Sequence, residues 1–214
     1  MQRERPNLSR VVAERVRTGI VDGKLDAGTR INEVRLAEEL GISRTPLREA
    51  LSQLVAEGFL VVEPRRGYFI RPLDAAEVPD LYAMRAILDP AALRLAGVPT
   101  PERQRTLAAL NEEMRSCAEA KDLIALDDRW HMELLSHCTN RFLLEEIRRF
   151  TGLTLRYELA YFQHTPGPGI ALDEHEAILA ALRRHDLNEA CRALTQNLTS
   201  AVEPLVDWLS SKGE

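Results

Sequence analysis

Gly41, followed closely by Ser43 and Pro46, gives the run from Arg35 to Leu60, RLAEELGISRTPLREALSQLVAEGFL, one simple reading: helix, tight turn, helix. Leu36, Ala37 and Leu40 recur at helical spacing before Gly41, which tolerates the left-handed backbone that ends a helix. Ser43 is a suitable N-cap for the next helix, and Pro46 falls in its first turn, where a missing N–H has no intrahelical partner to lose. Leu47, Leu51 and Leu54 mark the buried side, while Thr45, Arg48 and Ser52 project from the other with Arg44 at the leading end. Guanidiniums and small hydroxyls at a helix N-terminus suit phosphate oxygens and base edges. The same pattern also fits a plain helical hairpin with a solvated arginine face.

The residues downstream of this helix pair narrow the choice. Phe59, Val61 and Val62, then Pro64-Arg65-Arg66-Gly67, then Tyr68-Phe69-Ile70 predict a short hairpin with a basic tip, the wing of a winged helix-turn-helix. Upstream, Val11, Val12, Val16 and Ile20 predict a helix from Leu8 to about Val21, with Ser9 able to cap it, Asp22-Gly23 ending it and Asp26-Ala27-Gly28 turning the chain. Residues 1–7 are polar and charged and are expected to be loose. Charge divides the chain in the same way. Residues 1–72 hold 13 basic against 10 acidic residues, a net of +3, and residues 73–214 hold 15 against 23, a net of −8. The basic part carries the DNA-binding pattern, and the acidic part, which a phosphate backbone would repel, is left for partners or effectors.

Residues 8–72 resemble the DNA-binding head of GntR-family bacterial regulators, through LAEELG, SRTPLREAL and a wing ending RRGYFI. The resemblance implies that Ser43, Arg44, Thr45 and Arg48 contact an operator, with Arg66 and Gly67 at the wing. In the fatty-acid-responsive member an arginine on the preceding helix touches DNA; Val34 stands there in this chain, with Arg35 one step along.

Beyond Arg71-Pro72-Leu73-Asp74, a short junction with Asp74 as the next cap, the pattern is helix after helix: 75–97, 101–119, 121–138, 140–163, 172–184 and 186–210. Gly97 with Pro99 stops the first, Thr100-Pro101-Glu102 opens the second, and Thr165-Pro166-Gly167-Pro168-Gly169 is the longest breaker. Asp173 with Glu176, and Asp186 with Glu189, have capping-box spacing. The expected fold is therefore mainly α, a winged helix-turn-helix domain over 1–72 followed by an antiparallel six-helix bundle over 73–214. Cys117, Cys138 and Cys191 are scattered without CxxC spacing and read as buried small residues rather than a disulfide framework or zinc site. No leader and no apolar run long enough for a membrane span is present, so a cytoplasmic protein is expected.

Polar residues inside apolar stripes are the informative part of the bundle. Asp127 and His131 share a face with Leu123, Ile124, Trp130 and Leu134; His175 lies among Ile178, Leu179 and Leu182; Asn197 lies among Ala190, Leu194 and Ala201; and Arg85 is flanked by Tyr82 and Ala92 with Asp89 one turn on. Buried polar groups must satisfy one another, bind an ion or line a ligand cavity. Residue spacing leaves both a structural polar network and a metal site open.

Residues 77–206 resemble the FCD effector domain of the FadR subfamily, through LYAMRAILDPAA, LDDRWH, TNRFLLE and DEHEAILAALRRHDLNEA. That resemblance implies a divalent metal held by Asp127, His131 and His175, and a small carboxylate effector met by Arg85, whose fork matches two oxygens. The family's fourth ligand is a histidine, and Asn197 stands there in this chain. An amide oxygen serves zinc or nickel less well than imidazole and suits a harder ion, so the expected outcomes are a weaker or differently selective metal site, or a cavity that takes the ligand directly, with Asn197 joining Arg85 as an effector contact. Thr154, in the stripe with Phe150, Tyr157 and Tyr161, is a further effector candidate, whereas His137, His164 and His185 read as structural or solvent-facing. The expected function is a homodimeric, ligand-responsive transcriptional regulator binding double-stranded operator DNA, and not an enzyme. The alternatives are a metal-sensing repressor and, from another class, a metal-dependent hydrolase or lyase.

Overall fold

The computed structural model describes residues 8–21, 24–25, 27–165 and 172–211. The expectations for residues 1–7, for Asp22-Gly23 and Asp26, and for the breaker after Thr165 lie outside the described residues. The chain divides into two compact units, Met1–Leu73 and Asp74–Glu214.

In the first unit, α1 (Leu8–Val21), α2 (Glu33–Leu40) and α3 (Arg44–Ala56) precede a hairpin of β1 (Leu60–Glu63) and β2 (Gly67–Ile70). Ser9 lies inside α1 and is buried, not in the capping place suggested for it. Asn32 caps α2, its side-chain oxygen accepting from Val34 N and Arg35 N, and Gly41 ends it at φ 63°. Ser43 occupies the N-cap position of α3, yet its hydroxyl makes no capping bond. α3 buries Leu47, Ala50, Leu51 and Leu54 and packs against α1, α2 and β1. In the hairpin Leu60 pairs with Ile70 and Glu63 with Gly67. Gly67 sits at φ +96°, which a side chain would strain.

The second unit is helical throughout its described elements: α4 (Glu77–Ala96), α5 (Pro101–Ser116), α6 (Ala120–Leu135), α7 (Arg141–His164), α8 (Leu172–Arg183), α9 (Leu187–Ser200) and α10 (Val202–Ser211). α4 packs against α6, α7, α9 and α10, while α5 joins α6 and α8. The apolar interior runs from Leu93, Leu107 and Leu110 through Trp130 and Leu134 to Leu179, Leu182 and Leu194.

Several helix ends correct local expectations. Asp74 does not cap α4: its carboxylate accepts from Ala76 N at 2.9 Å, ahead of the helix, and Ala76 holds the cap position. Asp173 falls within the first turn of α8 rather than ahead of it. The expected span 186–210 divides at Ala201 into α9 and α10, because Pro204 lacks the N–H that the Ser200 carbonyl would need four residues on. Asp186 caps α9 through Glu189 N, and Thr100 caps α5 through Arg103 N, each where its motif placed it. Cys138 and Cys191 are buried, but Cys117 is partly exposed.

Candidate functional site

On the first unit the candidate site is the face built by α3 and the wing. Ser43, Arg44, Thr45 and Arg48 are all exposed around the first turns of α3, whose N-terminal amides are not capped by a side chain. Arg48 is not free: its Nε donates to Glu33 Oε2 at 2.7 Å, so the first residue of α2 aims the guanidinium on α3. Ser52 Oγ and Tyr68 OH stand 3.2 Å apart and tie α3 to β2. At the wing, Arg66 pairs with Glu63 and lies 4.9 Å over the Phe69 ring. Arg35 is highly exposed on α2, held by Glu39 one turn on at 2.7 Å. Glu33 carried no sequence signal; its importance comes from a contact 15 residues away.

On the second unit the candidate site is a cavity of about 370 Å³ lined by Tyr82, Arg85, Asp127, His131, Glu158, Glu174 and Asn197 among others. Asp127 and His131 come from α6 and His175 from α8, and one ligand atom from each falls within 4.8 Å of the others. His175 Nε2 is 3.4 Å from Asp127 Oδ1, and His131 Nε2 is 3.8 Å from Asp127 Oδ2.

The state of His175 is set by its partners. Asn111 Nδ2 donates to Glu176 Oε1 at 3.0 Å, which turns the amide oxygen of Asn111 toward His175 Nδ1 at 3.1 Å. That oxygen only accepts, so the ring proton sits on Nδ1 and the lone pair on Nε2. Burial holds the imidazole neutral, its pKa lowered to about 4. Nε2 is buried with no hydrogen-bond partner, and so is Nδ1 of His131, whose pKa is also pushed well down by burial and by Arg85. Trp130 stacks on His175 at 3.8 Å and donates its indole N–H to the Leu107 carbonyl, fixing the ring from behind. Burial, with Glu158 nearby, raises Asp127 to about 8.

His175 Nε2, unsatisfied and 3.4 Å from one oxygen of Asp127, and His131 Nε2, 3.8 Å from the other, are donors that fit a divalent cation. Modest closure of the 4.8 Å spread would bring the donors to about 2.1 Å from one ion.

Arg85 is 4 % exposed and reaches the cavity, with Nη2 3.3 Å from Asp89 Oδ2, Nη1 3.4 Å from Thr154 Oγ1 and Nε without a partner. Thr154 is fully buried, its hydroxyl accepting from Arg85, and is not among the residues that line the cavity. Asn197 does line the cavity, but its amide donates to Glu174 Oε2 at 3.0 Å, which also accepts from Ser200 at 2.9 Å. Glu158, accepting from Tyr82 OH at 2.6 Å, and Glu174 are cavity groups that the stripe pattern does not mark. His137, His164 and His185 are exposed.

Comparison with known proteins adds to this geometry. Residues 8–70 match the model for bacterial regulatory proteins of the gntR family, and residues 80–200 match the FCD domain. The chain is 39% identical over 124 residues to the Nta operon transcriptional regulator of Aminobacter aminovorans, a match that spans 56% of this chain and 59% of that protein. It is 31% identical to YieP, an uncharacterized HTH-type transcriptional regulator of Escherichia coli (strain K12), across 89% of this chain and 94% of that one. Among solved structures, E. coli McbR/YncC superposes with a TM-score of 0.78 at 22% identity over 94% of this chain and 98% of that chain, a likeness of fold. The matched domains and relatives are transcriptional regulators rather than enzymes.

Proposed function

The chain belongs to the GntR family of bacterial transcriptional regulators, in the branch whose helix-turn-helix head precedes an FCD effector domain, and from that premise we propose that it binds a two-fold related operator as a homodimer and answers a small organic acid. The N-terminus of α3 enters the major groove, with Arg48 reading a base edge from the position Glu33 gives it, Ser43, Arg44 and Thr45 on neighbouring phosphates and Arg35 at the margin. Arg66 beside Gly67 reaches the backbone from the wing. Such a protein works in the cytoplasm, and no described helix is long and apolar enough to cross a membrane.

In the effector domain Asp127, His131 and His175 hold a divalent ion, zinc, nickel or a harder one. When bound, that ion would supply positive charge beside Arg85 to draw in a carboxylate. Arg85 receives the carboxylate, and Asn197 and Glu174 set the far wall. The observation that carries the reading is His175: neutral, fixed through Nδ1 by Asn111, with Nε2 buried and unpaired. The acid alters DNA binding only if it fits one arrangement of the protein better than the other.

The test is metal content of the purified protein, followed by thermal shift with a panel of small carboxylates, with and without chelator. Stabilisation that vanishes on chelation supports the metal-bridged site. Stabilisation that survives chelation places the acid on Arg85 alone, and operator release by metal without any acid would favour the metal-sensing alternative.

A further inference from the structure

α4 is the helix on which the second unit is built, yet among the described residues one of its sides is left exposed. Ile87 is 64% exposed, Leu95 51% and Met84 37%, on a helix whose other sides pack against α6, α7, α9 and α10. Asp80, Met84, Ile87, Ala91 and Arg94 follow one another at steps of four, three, four and three residues, the spacing of a seam between paired helices. The residues at its two ends, Asp80 and Arg94, are exposed, opposite in charge and without an ion-pair partner among the described residues.

The arrangement is symmetric about Ile87: Asp80 lies seven residues before it and Arg94 seven after, each close to two turns away on the same face. An antiparallel copy of the same helix, placed with a two-fold axis at Ile87, therefore sets each Asp80 opposite the other copy's Arg94 twice over. Ile87 meets its own counterpart at the centre, and Ala83 and Ala91 give the backbones room to approach. A self-complementary patch of this kind is what an isologous dimer requires. A parallel copy would instead put Asp80 against Asp80.

We propose that the exposed seam of α4 is the dimer interface of the effector domain, occupied by α4 of a second copy running antiparallel with its axis at Ile87. The proposal rests on the homodimeric reading of the function and adds the surface and its register. It also places the dimer axis on the helix that carries Arg85, so the residue offered to the effector and the contact between copies share one rigid element.

Charge-reversal variants of the full chain test it by light scattering and analytical ultracentrifugation. Asp80→Arg and Arg94→Asp should each raise the dimer dissociation constant by about tenfold or more, through like charges set face to face, and the double variant should restore it. Ile87→Cys should form a disulfide-linked dimer on mild oxidation, while the native chain, with Cys117, Cys138 and Cys191 in place, should not. A native dimer that neither reversal weakens and that Ile87→Cys does not cross-link would overturn this surface while leaving dimerisation intact. A native chain that is monomeric at the concentrations that bind operator would overturn both.

Discussion

Asp127 shows most directly how burial converts a side chain into a ligand. Its carboxyl is raised to about 8 because charge is disfavoured by burial first and by Glu158 second. An acid that holds its proton more tightly folded than unfolded adds stability at low pH and loses it as pH rises through the folded value. His175 has the opposite sign: lowered to about 4, it adds stability above its unfolded value, near 6.5, and loses it as pH falls. Above about pH 7 His175 is largely neutral in both states, so of these two groups Asp127 is the one that still responds, up to its folded value of about 8. Metal-free protein kept in chelator should thus melt at progressively lower temperature across that window, and Asp127→Asn should flatten the slope. An equal slope in the variant would mean that Asp127 is not the group responsible.

At the scale of elements, helix ends carry much of the local order. Asn32 accepts from two backbone amides at the start of α2, the helix whose first residue, Glu33, positions Arg48. Asn32→Ala should cost about 1 kcal/mol of stability by chemical denaturation and weaken operator binding, while leaving effector binding to the other unit unchanged. The caps and stops that depend on neighbours in sequence, Gly41, Thr100-Pro101 and Asp186, are legible from residue type alone. The division at Ala201 is legible too, in Pro204, but the long apolar stripe masks it. What periodicity does not reveal is the pairing between helices. Asn111 meets His175 from 64 residues away, and Thr154, on an apolar stripe like that of any cavity residue, accepts a hydrogen bond from Arg85. A stripe says that a residue faces inward; which inward neighbour it meets is decided by how the helices are assembled.

The whole molecule joins a head of net charge +3 to a domain of net charge −8, so association with DNA is attractive only through one part and is opposed by the other. Operator affinity should therefore fall steeply with added salt. Arg66→Ala should lower affinity for operator and random duplex alike and reduce the salt slope by about one, whereas Arg48→Ala should cost about 1–3 kcal/mol on operator and much less on random DNA. Filter binding or fluorescence anisotropy over a salt series would measure both, and equal losses on the two duplexes for Arg48→Ala would demote it to a phosphate contact. The face-to-face stacking of Trp130 on His175 also makes the protein its own optical probe. Of its two indoles, Trp130 lies flat against a ring that borders the proposed ion, and Trp208 stands edge-on to Tyr161 on the cavity wall. Emission recorded in a Trp208→Phe background would then follow occupancy of the effector domain in real time, with no dye attached and no DNA in the cuvette.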